Sequence, residues 1–451
     1  MGKEFELLEE ALQLEAPVSI RVNAAKGVVG LPAEERVAWC DTGYYLPERI
    51  SFTFDPLFHA GAYYVQEASS MFLEQAVKAH VHEPVKCLDL CAAPGGKSTH
   101  LCSVLPEGSL LVCNEVIRSR SYILAENVAK WGNPDTIVCN NDPEALGELT
   151  HFFDLIIADL PCSGEGMFRK DIGATEEWSE ANVNLCAARQ RRIIHDIWNA
   201  LKPGGLLVYS TCTYNIEENE ENIHYIKEEL GADILPIPTK EEWNISGPFR
   251  YNAPVYRFFP HKTKGEGFFL AILRKTEGGI HITKQPKEKK KTAPIPPPTA
   301  VNHWLHYPDN FRIELTGQSI QAIPLIHTES ISCLTRQLHI LSSGIRMGEV
   351  KGKDLIPAHS LALSTELSHS AFPTIEVSRE EAIRYLQKEA IPLSGEKGYQ
   401  LLTYEGMPLG YVKQLGNRAN NLYPQEWRIR SNKKTGERTD IVLTPGTLFS
   451  V

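Results

Sequence analysis

Two cysteines stand at positions where the chain could carry out nucleophilic chemistry. Cys162 follows the apolar run 155–158 and comes three residues after Asp159, and Cys212 follows the apolar run 206–209. Both runs are typical of buried parallel strands, whose carboxyl ends form the ligand-binding edge of an open α/β sheet. Two thiols at that edge, one of them beside a carboxylate, indicate covalent catalysis on an electrophilic ring or carbonyl.

The elements that would position these thiols belong to a doubly wound α/β sheet. From residue 85 to residue 273, short apolar runs alternate with helical segments, which is the pattern of that fold class. An apolar stripe at positions 194, 197, 198 and 201 predicts a helix, and the Lys-Pro-Gly-Gly sequence at 202–205 is expected to end it and turn into the next strand. The predicted strands are 85–90, 110–113, 136–139, 155–158, 206–209 and 268–273.

A glycine-rich turn, CAAPGGKST at 91–99, follows the first predicted strand. It is not a phosphate-binding Walker A loop, because Cys91 replaces the first glycine, and it lacks the dinucleotide fingerprint G-x-G-x-x-G. The remaining candidate is the shorter turn that cradles the adenosyl group of S-adenosylmethionine. Cofactor contacts are therefore predicted at Cys91, Ala92, Ala93, Pro94, Gly95, Gly96 and Lys97.

Acidic residues at the ends of the following strands support an adenosyl ligand. Glu115 comes about twenty residues after the glycines, where a carboxylate accepts hydrogen bonds from ribose hydroxyls. Asp142 follows the third strand and is predicted to meet the adenine amino group, and Asp159 ends the fourth strand. Arg120 is a further candidate, for the carboxylate or the ribose of the cofactor.

The bulk composition bounds the class of protein. A chain of 451 residues predicts two to four modules, and a net charge of −10 argues against non-specific binding of nucleic acid without excluding specific binding. The ten cysteines lack the spacing of a disulfide scaffold or a zinc site, so no metal is expected. With no membrane-spanning apolar run and no signal core, the expected location is cytoplasmic, and nothing demands more than a monomer.

Five parts are predicted along the chain. An N-terminal extension at 1–80, with a strand at 19–23 and a helix at 66–78, precedes the α/β domain at 81–275. A linker at 276–300 includes the charged, proline-rich stretch 284–298, which is the firmest boundary. An intermediate domain at 301–375 and a last domain at 376–451, with a helix at 379–389, complete the chain.

Several motifs resemble the RNA cytosine-C5 methyltransferases, the NOL1/NOP2/Sun family. The motifs that carry the resemblance are SIRVNAAKG (19–27), GAYYVQEASSM (61–71), CAAPGGKSTHL (91–101), DLPCSGEGMFRKD (159–171), YSTCTYN (209–215), RFFPH (257–261) and GEGFFLAIL (265–273). Beyond the linker, GIRMGEVKGK (344–353), Pro357-Ala358-His359 and PLGYVKQLGNRANNLYP (408–424) resemble the PUA-type region of the RsmF branch, which modifies 16S ribosomal RNA.

The resemblance implies a Rossmann-like class I methyltransferase fold, a doubly wound and mostly parallel sheet. An N-terminal α/β extension and a C-terminal α+β PUA-like region that binds RNA would flank it. The implied cofactor is S-adenosylmethionine, and the implied partner is 16S ribosomal RNA, either alone or in the assembled 30S subunit.

The resemblance also implies roles for the catalytic candidates. Cys212 would attack carbon 6 of cytosine, and Cys162 would assist release after methylation. Lys97 would lie beside the reacting base and favour the Cys212 thiolate. Asp159, protonated or through a shared proton, would neutralise charge on ring N3. From position alone, Phe168, Arg169 and Lys170 are predicted to help hold the extruded RNA.

Other functions remain open at this point. The same chemistry would serve a tRNA cytosine-C5 methyltransferase. A non-catalytic RNA-binding or ribosome-assembly protein is disfavoured by the presence of Cys162, Cys212, Lys97 and Asp159. A P-loop nucleotide hydrolase is the least favoured reading, because its loop motif is incomplete.

Overall fold

The structure, a computed structural model, describes residues 2–31, 35–276, 296–430 and 443–445.

In the N-terminal part, the predicted strand at 19–23 begins one residue earlier, and a 3₁₀ turn at Ser69–Phe72 occupies the start of the predicted helix at 66–78. The elements here are α1 (Lys3–Leu12), β1 (Val18–Val22), β2 (Val28–Gly30), β3 (Gly43–Leu46), α2 (Pro56–His59), β4 (Tyr63–Val65) and α3 (Leu73–His80). Strand β1 lies between β3 and β4 in an antiparallel sheet.

The central part contains every strand that the apolar runs predict. Its strands are β5 (Lys86–Asp89), β6 (Leu110–Asn114), β7 (Thr136–Cys139), β8 (Phe153–Asp159), β9 (Leu201–Thr211), β10 (Ala232–Leu235), β11 (Tyr256–Phe258) and β12 (Phe268–Lys275). Its helices are α4 (Gly96–Val104), α5 (Arg118–Trp131), α6 (Pro143–Gly147), α7 (Ile172–Glu177), α8 (Glu180–Ile197) and α9 (Glu220–Glu229).

The C-terminal part mixes short strands with short helices. The predicted helix at 379–389 ends at Leu386, and Ser378 begins it with a capping box. The elements are β13 (Phe311–Thr316), β14 (Ser319–Pro324), α10 (Thr328–Gln337), β15 (Ile340–Ser343), β16 (Ile345–Lys351), β17 (Asp354–Pro357), α11 (His359–Ala362), β18 (Thr374–Glu376), α12 (Arg379–Leu386), β19 (Gly398–Tyr404), β20 (Met407–Gln414), β21 (Ala419–Asn421) and β22 (Thr444–Pro445).

The central sheet confirms the predicted fold class. Its strand order is β10-β12-β9-β8-β5-β6-β7-β15, with β5 to β9 parallel and β10, β12 and β15 antiparallel to their neighbours. The chain moves outward from β5 to β7 and then returns to β8 on the other side of β5. A crevice forms at such a switch point, outside the carboxyl ends of the strands.

One boundary differs from the prediction. Helix α8 ends at Ile197, a 3₁₀ turn covers Trp198–Ala200, and Leu201 already begins β9. Residues 202–205, expected to end the helix, therefore lie inside the strand. Leu201 is buried as predicted, but it belongs to the strand and not to the helix. Periodicity alone cannot separate the last turn of a helix from the start of a buried strand.

The first and last described parts of the chain share one hydrophobic core. Ile20 and Tyr63 of the N-terminal sheet pack in the same cluster as Tyr385 and Leu402 of the C-terminal part. The predicted linker cannot be compared in full, because residues 277–295 lie outside the described residues. Among the helices that are described, none combines the length and apolarity needed to cross a membrane.

A buried ion pair joins α9 to β11. Both guanidinium nitrogens of Arg257 donate to the carboxylate of Glu220, at 2.9 and 2.6 Å, and both side chains are almost fully buried. The Arg257 guanidinium also lies 4.3 Å from the centre of the Phe249 ring. A bidentate pair in this geometry fixes the beginning of α9, which follows the Cys212 loop.

Replacing Arg257 tests this link. Arg257→Met should lower the free energy of unfolding by about 3–5 kcal/mol, because it leaves the Glu220 carboxylate buried and unpaired. Urea unfolding would measure the change. Arg250→Met is the matched control, since Arg250 pairs with Glu221 at the surface, and it should cost much less. Equal losses in the two variants would contradict the importance assigned to the buried pair.

Candidate active site

The two cysteines predicted to do chemistry meet at the carboxyl edge of the sheet. Asp159 at the end of β8 is in register with Ser210 of β9, so the loops that follow begin at the same level. The Sγ atoms of Cys162 and Cys212 are 3.1 Å apart, and both side chains are partly buried. Two thiols at this distance share a hydrogen bond, so they titrate as a pair.

The pair is asymmetric. The hydrogen bond from Cys162 lowers the pKa of the Cys212 thiol, and the nearby Lys97 ammonium lowers it further, against burial and the Asp159 charge. The same hydrogen bond, together with burial, raises the pKa of Cys162 well above its usual value. Of the two thiols, Cys212 is therefore the one that ionises more readily, as a nucleophile requires.

Lys97 lies beside the thiols but bonds to a carboxylate. Its Nζ atom is 2.7 Å from Oδ2 of Asp159, and Oγ of Ser210 donates to Oδ1 of Asp159 at 2.7 Å. Burial alone would lower the pKa of Lys97, but the charge and hydrogen bond of Asp159, together with Asp89 and Cys212, outweigh it and raise that pKa. Asp159 therefore accepts hydrogen bonds from both Lys97 and Ser210, and a proton of the Lys97 ammonium lies between the two charged groups.

The glycine turn is held by α5. Gly95 has φ +116°, a conformation that side chains other than glycine rarely adopt, and a Cβ atom there would lie 3.4 Å from Asn127 and Leu124. Asn127 donates to the carbonyl of Pro94, and Arg120 donates to the carbonyl of Ala93, each at 2.8 Å. Ala92 and Ala93 are buried and Cys91 is partly buried, so the turn presents mainly backbone to the crevice.

Glu115 and Arg120 form one unit at the end of β6. Oε1 of Glu115 accepts the backbone N–H of Ile117 at 2.8 Å, and Oε2 lies 3.6 Å from the Arg120 guanidinium. Glu115 is buried, whereas Asp142, which precedes α6, is exposed. The predicted cofactor residues thus follow the carboxyl ends of neighbouring parallel strands, and Arg120 contacts Ala93 and Glu115.

Asp89, which the sequence analysis did not assign, lies beneath the glycine turn at the end of β5. It is fully buried, and burial raises its pKa to about 7. Oδ2 accepts from Oγ of Ser98 at 2.7 Å, and Oδ1 has no hydrogen-bond partner among the described residues. An unpartnered buried carboxylate oxygen at the switch point is suited to a ligand that donates hydrogen bonds. In the sequence, the feature that could have indicated Asp89 is its position near the end of the first predicted strand.

Two further carboxylates hold the cysteine loops and were also missed. Glu165 accepts the backbone N–H of Tyr214 at 2.8 Å and the indole N–H of Trp178 at 3.0 Å. Glu218 accepts the backbone N–H of Ser163 at 3.1 Å. Glu218 could not be singled out from the sequence because glutamates also occupy 217, 220 and 221.

The expectation that Arg169 holds RNA is wrong. Its side chain is buried, pairs with Glu266 at 3.0 Å and donates to the carbonyl of Gly265 at 2.8 Å. Lys170 is more exposed and lies 3.6 Å from the same Glu266 carboxylate. Arg169 therefore fastens the Cys162 loop to the segment before β12, since a guanidinium engaged in this way is not free for a phosphate.

A buried polar cluster links α3 to α4. Within the described ranges, Cys40, Glu74 and His100 are the one group whose donor atoms lie within 4.8 Å of one another, as a metal ion would require. Nε2 of His100 is 3.0 Å from Glu74 and 3.7 Å from Sγ of Cys40. Lys78 pairs with Glu74 at 2.6 Å, so these contacts already form a network that joins α3 to α4.

Known proteins resemble this chain along most of its length. Family models described as the N-terminal domain of 16S rRNA methyltransferase RsmF, 16S rRNA methyltransferase RsmB/F and methyltransferase RsmF PUA domain match residues 1–68, 76–274 and 372–429. Ribosomal RNA small subunit methyltransferase F of Enterobacter sp. (strain 638) is 30% identical over 450 residues, covering 94% of this chain and 92% of that protein. The chain belongs to the ribosomal RNA small subunit methyltransferase F family.

Other relatives are consistent with that assignment and confirm the resemblance seen in the sequence. Ribosomal RNA small subunit methyltransferase F of Escherichia coli O9:H4 (strain HS) is 31% identical over 410 residues, covering 86% of this chain and 84% of that protein. Among solved structures, a methyltransferase homologue from Pyrococcus horikoshii has a TM-score of 0.52 and 30% identity, covering 61% of this chain and 91% of that one.

The charge of Lys97 gives a pH test of the site. Lys97→Met should raise the pKa of Cys212, because the thiolate loses a stabilising ammonium and keeps the neighbouring Asp159 carboxylate. The pH midpoint for alkylation of Cys212 by iodoacetamide, followed by peptide mass spectrometry, should move upward. Lys227→Met, at an exposed position on α9, is the control. An unchanged midpoint in Lys97→Met would show that Lys97 does not act on the thiol.

Proposed function

We propose that this chain transfers a methyl group from S-adenosylmethionine to carbon 5 of cytosine in 16S ribosomal RNA, through a covalent bond between Cys212 and carbon 6. Family membership supports the substrate class and the reaction. The observation that carries the covalent mechanism is the pair of sulfurs 3.1 Å apart, with the Lys97–Asp159 ion pair beside them.

The first step needs a thiolate and a proton. Carbon 5 of cytosine is a poor nucleophile until the Cys212 thiolate adds to carbon 6 and converts the ring to an enamine. Negative charge then develops at N3, and the proton shared by Lys97 and Asp159 is available to neutralise it. When bound, the cofactor supplies an electrophilic methyl group, which the activated carbon 5 accepts.

Cys162 is assigned to release. A base must remove the proton from carbon 5 before the bond between carbon 6 and Cys212 can break and restore the aromatic ring. In the adduct the Cys212 thiolate no longer exists, which removes the first cause of the raised pKa of Cys162. Cys162 can then release its resting proton to water and take the proton from carbon 5 as a thiolate. N3 returns its proton to the Lys97–Asp159 pair as the carbon 6–sulfur bond breaks, and Cys212 departs as a thiolate.

The cofactor role of the crevice rests on its own geometry. The backbone of 91–97 would cradle the adenosylmethionine, with Glu115 accepting from the ribose hydroxyls and Asp142 meeting the adenine amino group. The free Oδ1 of Asp89 suits the cofactor ammonium, and Asp159 borders the methyl group. Arg120 contacts Glu115 and the carbonyl of Ala93, and its exposed side chain would also reach the carboxylate or the ribose of the cofactor.

RNA binding is assigned to the parts outside the central domain. The extension at 1–80 and the domains at 301–375 and 376–451 would hold the RNA while the target cytosine is extruded into the crevice, at a cost of a few kcal/mol. The proposed substrate is 16S ribosomal RNA, alone or within the 30S subunit, and the chain would act as a monomer. A tRNA substrate is the alternative, and bisulfite sequencing of both RNA classes from a deletion strain separates the two.

Substitution of the two cysteines tests the mechanism. Cys212→Ala should abolish methyl transfer to 16S ribosomal RNA, because no adduct forms. Cys162→Ala should accumulate a protein–RNA adduct that survives denaturing electrophoresis, because release is blocked. Cys186→Ala, a buried thiol on α8, is the control and should form no persistent adduct. Wild-type turnover by Cys212→Ala would refute the covalent mechanism.

Cofactor binding can be measured without RNA. Glu115→Gln should weaken the binding of S-adenosylmethionine by about 10- to 100-fold, because a charged acceptor for two ribose hydroxyls is lost. Isothermal titration calorimetry provides the dissociation constant. The exposed Glu107→Gln should bind as the wild type does. Equal affinity in Glu115→Gln and the wild type would remove Glu115 from the cofactor site.

A further inference from the structure

Glu218 is a fully buried carboxylate without an ion pair in the part of the chain that the structure describes. It follows the Cys212 loop and precedes α9. Its oxygens instead accept hydrogen bonds from Ser163 N at 3.1 Å, from Gln190 Nε2 at 2.7 Å and from Asn215 Nδ2 at 2.8 Å. A buried charge held only by neutral donors is costly, so its position calls for a functional explanation.

The donors to Glu218 come from both cysteine loops and from the helix beside them. Ser163 is the residue after Cys162, and Asn215 comes three residues after Cys212. Gln190 of α8 donates also to the carbonyl of Pro161, the residue before Cys162, at 2.9 Å. The Cys162 loop is thus held by hydrogen bonds at Pro161, through Gln190, and at Ser163, through Glu218 itself.

A second contact crosses between the loops at the same level. Oγ of Ser163 and Oγ1 of Thr213 are 3.0 Å apart, and Asn215 Nδ2 also donates to Thr213 Oγ1 at 2.9 Å. Each cysteine therefore has a neighbour in the same hydrogen-bond network. Two loops fixed on either side of the sulfurs have little freedom to change the distance between them.

Charged groups act on both sulfurs. Asp159 and Lys97 act on Cys212 in opposite directions and so oppose each other there, whereas the carboxylate of Glu218 acts on Cys162 and opposes its ionisation. Glu218 bonds to the backbone directly after Cys162, so its negative charge lies on that side of the pair. The Glu218 charge therefore favours the arrangement in which the shared proton is on Cys162.

We propose that Glu218 is a positioning residue that clamps the Cys162 loop to the Cys212 loop and keeps the proton of the sulfur pair on Cys162. The role rests on the proposed function, because it explains why the sulfurs take different parts in one reaction. Glu218 does not touch the RNA base or the cofactor. It acts by fixing the 3.1 Å contact and by its charge.

Glu218→Gln tests the proposal, because glutamine keeps the size of the side chain, removes the charge and turns one acceptor into a donor that faces Gln190 or Asn215. We expect kcat for methylation of 16S ribosomal RNA to fall about 100-fold, as for a small misplacement of reacting groups, with unchanged affinity for S-adenosylmethionine. Glu221→Gln is the matched control, since it removes a carboxylate three residues further along the chain, in the first turn of α9, and its kcat should stay at the wild-type value.

A second readout separates positioning from general damage. The pH midpoint for alkylation of Cys162 by iodoacetamide should fall in Glu218→Gln, because the thiolate no longer faces a buried negative charge. Glu218→Asp should restore most of that midpoint while recovering only part of kcat, since the charge returns but the reach is shorter. Unchanged kcat and an unchanged Cys162 midpoint in Glu218→Gln would overturn the proposal.

A third measurement uses the wild-type protein and therefore does not depend on the folding of a variant. Its Cys212 should be alkylated with a lower pH midpoint than Cys162, and the reverse order would overturn the assignment of the proton. These alkylation data do not depend on methyl transfer. An inactive wild-type protein with this order would therefore contradict the proposed function alone, whereas an active enzyme with the reverse order would contradict only the role of Glu218.

Discussion

The hydrogen bond between the sulfurs of Cys162 and Cys212 is the contact on which the site depends. It exists because β8 and β9 are parallel neighbours, with Asp159 and Ser210 in register where the two loops begin. A shift of that register by one residue would send the side chains of one strand to the other face of the sheet. The topology of the central sheet, more than any single loop, therefore determines which two thiols meet.

Charged groups lie beside both sulfurs. The Lys97–Asp159 ion pair lies on the side of Cys212, and the Glu218 carboxylate lies on the side of Cys162. Both charged groups are fixed on rigid elements. Lys97 lies at the beginning of α4, and Glu218 accepts a hydrogen bond from Gln190 of α8. Preorganised charges of this kind do not need to reorganise as the reaction proceeds, which is the main physical advantage of a buried site.

Much of this arrangement could be predicted from the sequence, because strands that are buried on both faces read as short apolar runs. The predicted runs gave every parallel strand, and with them the common edge that carries Cys162, Cys212, Glu115 and Asp159. Non-local contacts could not be predicted. The pairing of β15 with β7, the capture of Arg169 by Glu266 and the bond from Lys97 to Asp159 depend on tertiary packing. Glu218 stands in a glutamate-rich segment, where no pattern separates a buried carboxylate from solvated ones.

A chemical trap tests the central claim most directly. In RNA that contains 5-fluorocytosine, carbon 5 of the base carries fluorine instead of hydrogen. After methylation carbon 5 therefore has no proton to lose, and the bond between the enzyme and carbon 6 cannot break. The protein would be incubated with S-adenosylmethionine and fluorinated 16S ribosomal RNA, digested, and examined by peptide mass spectrometry. The account predicts a methylated nucleotide attached to the sulfur of Cys212. Attachment to Cys162, or methyl transfer without any attached nucleotide, would contradict it.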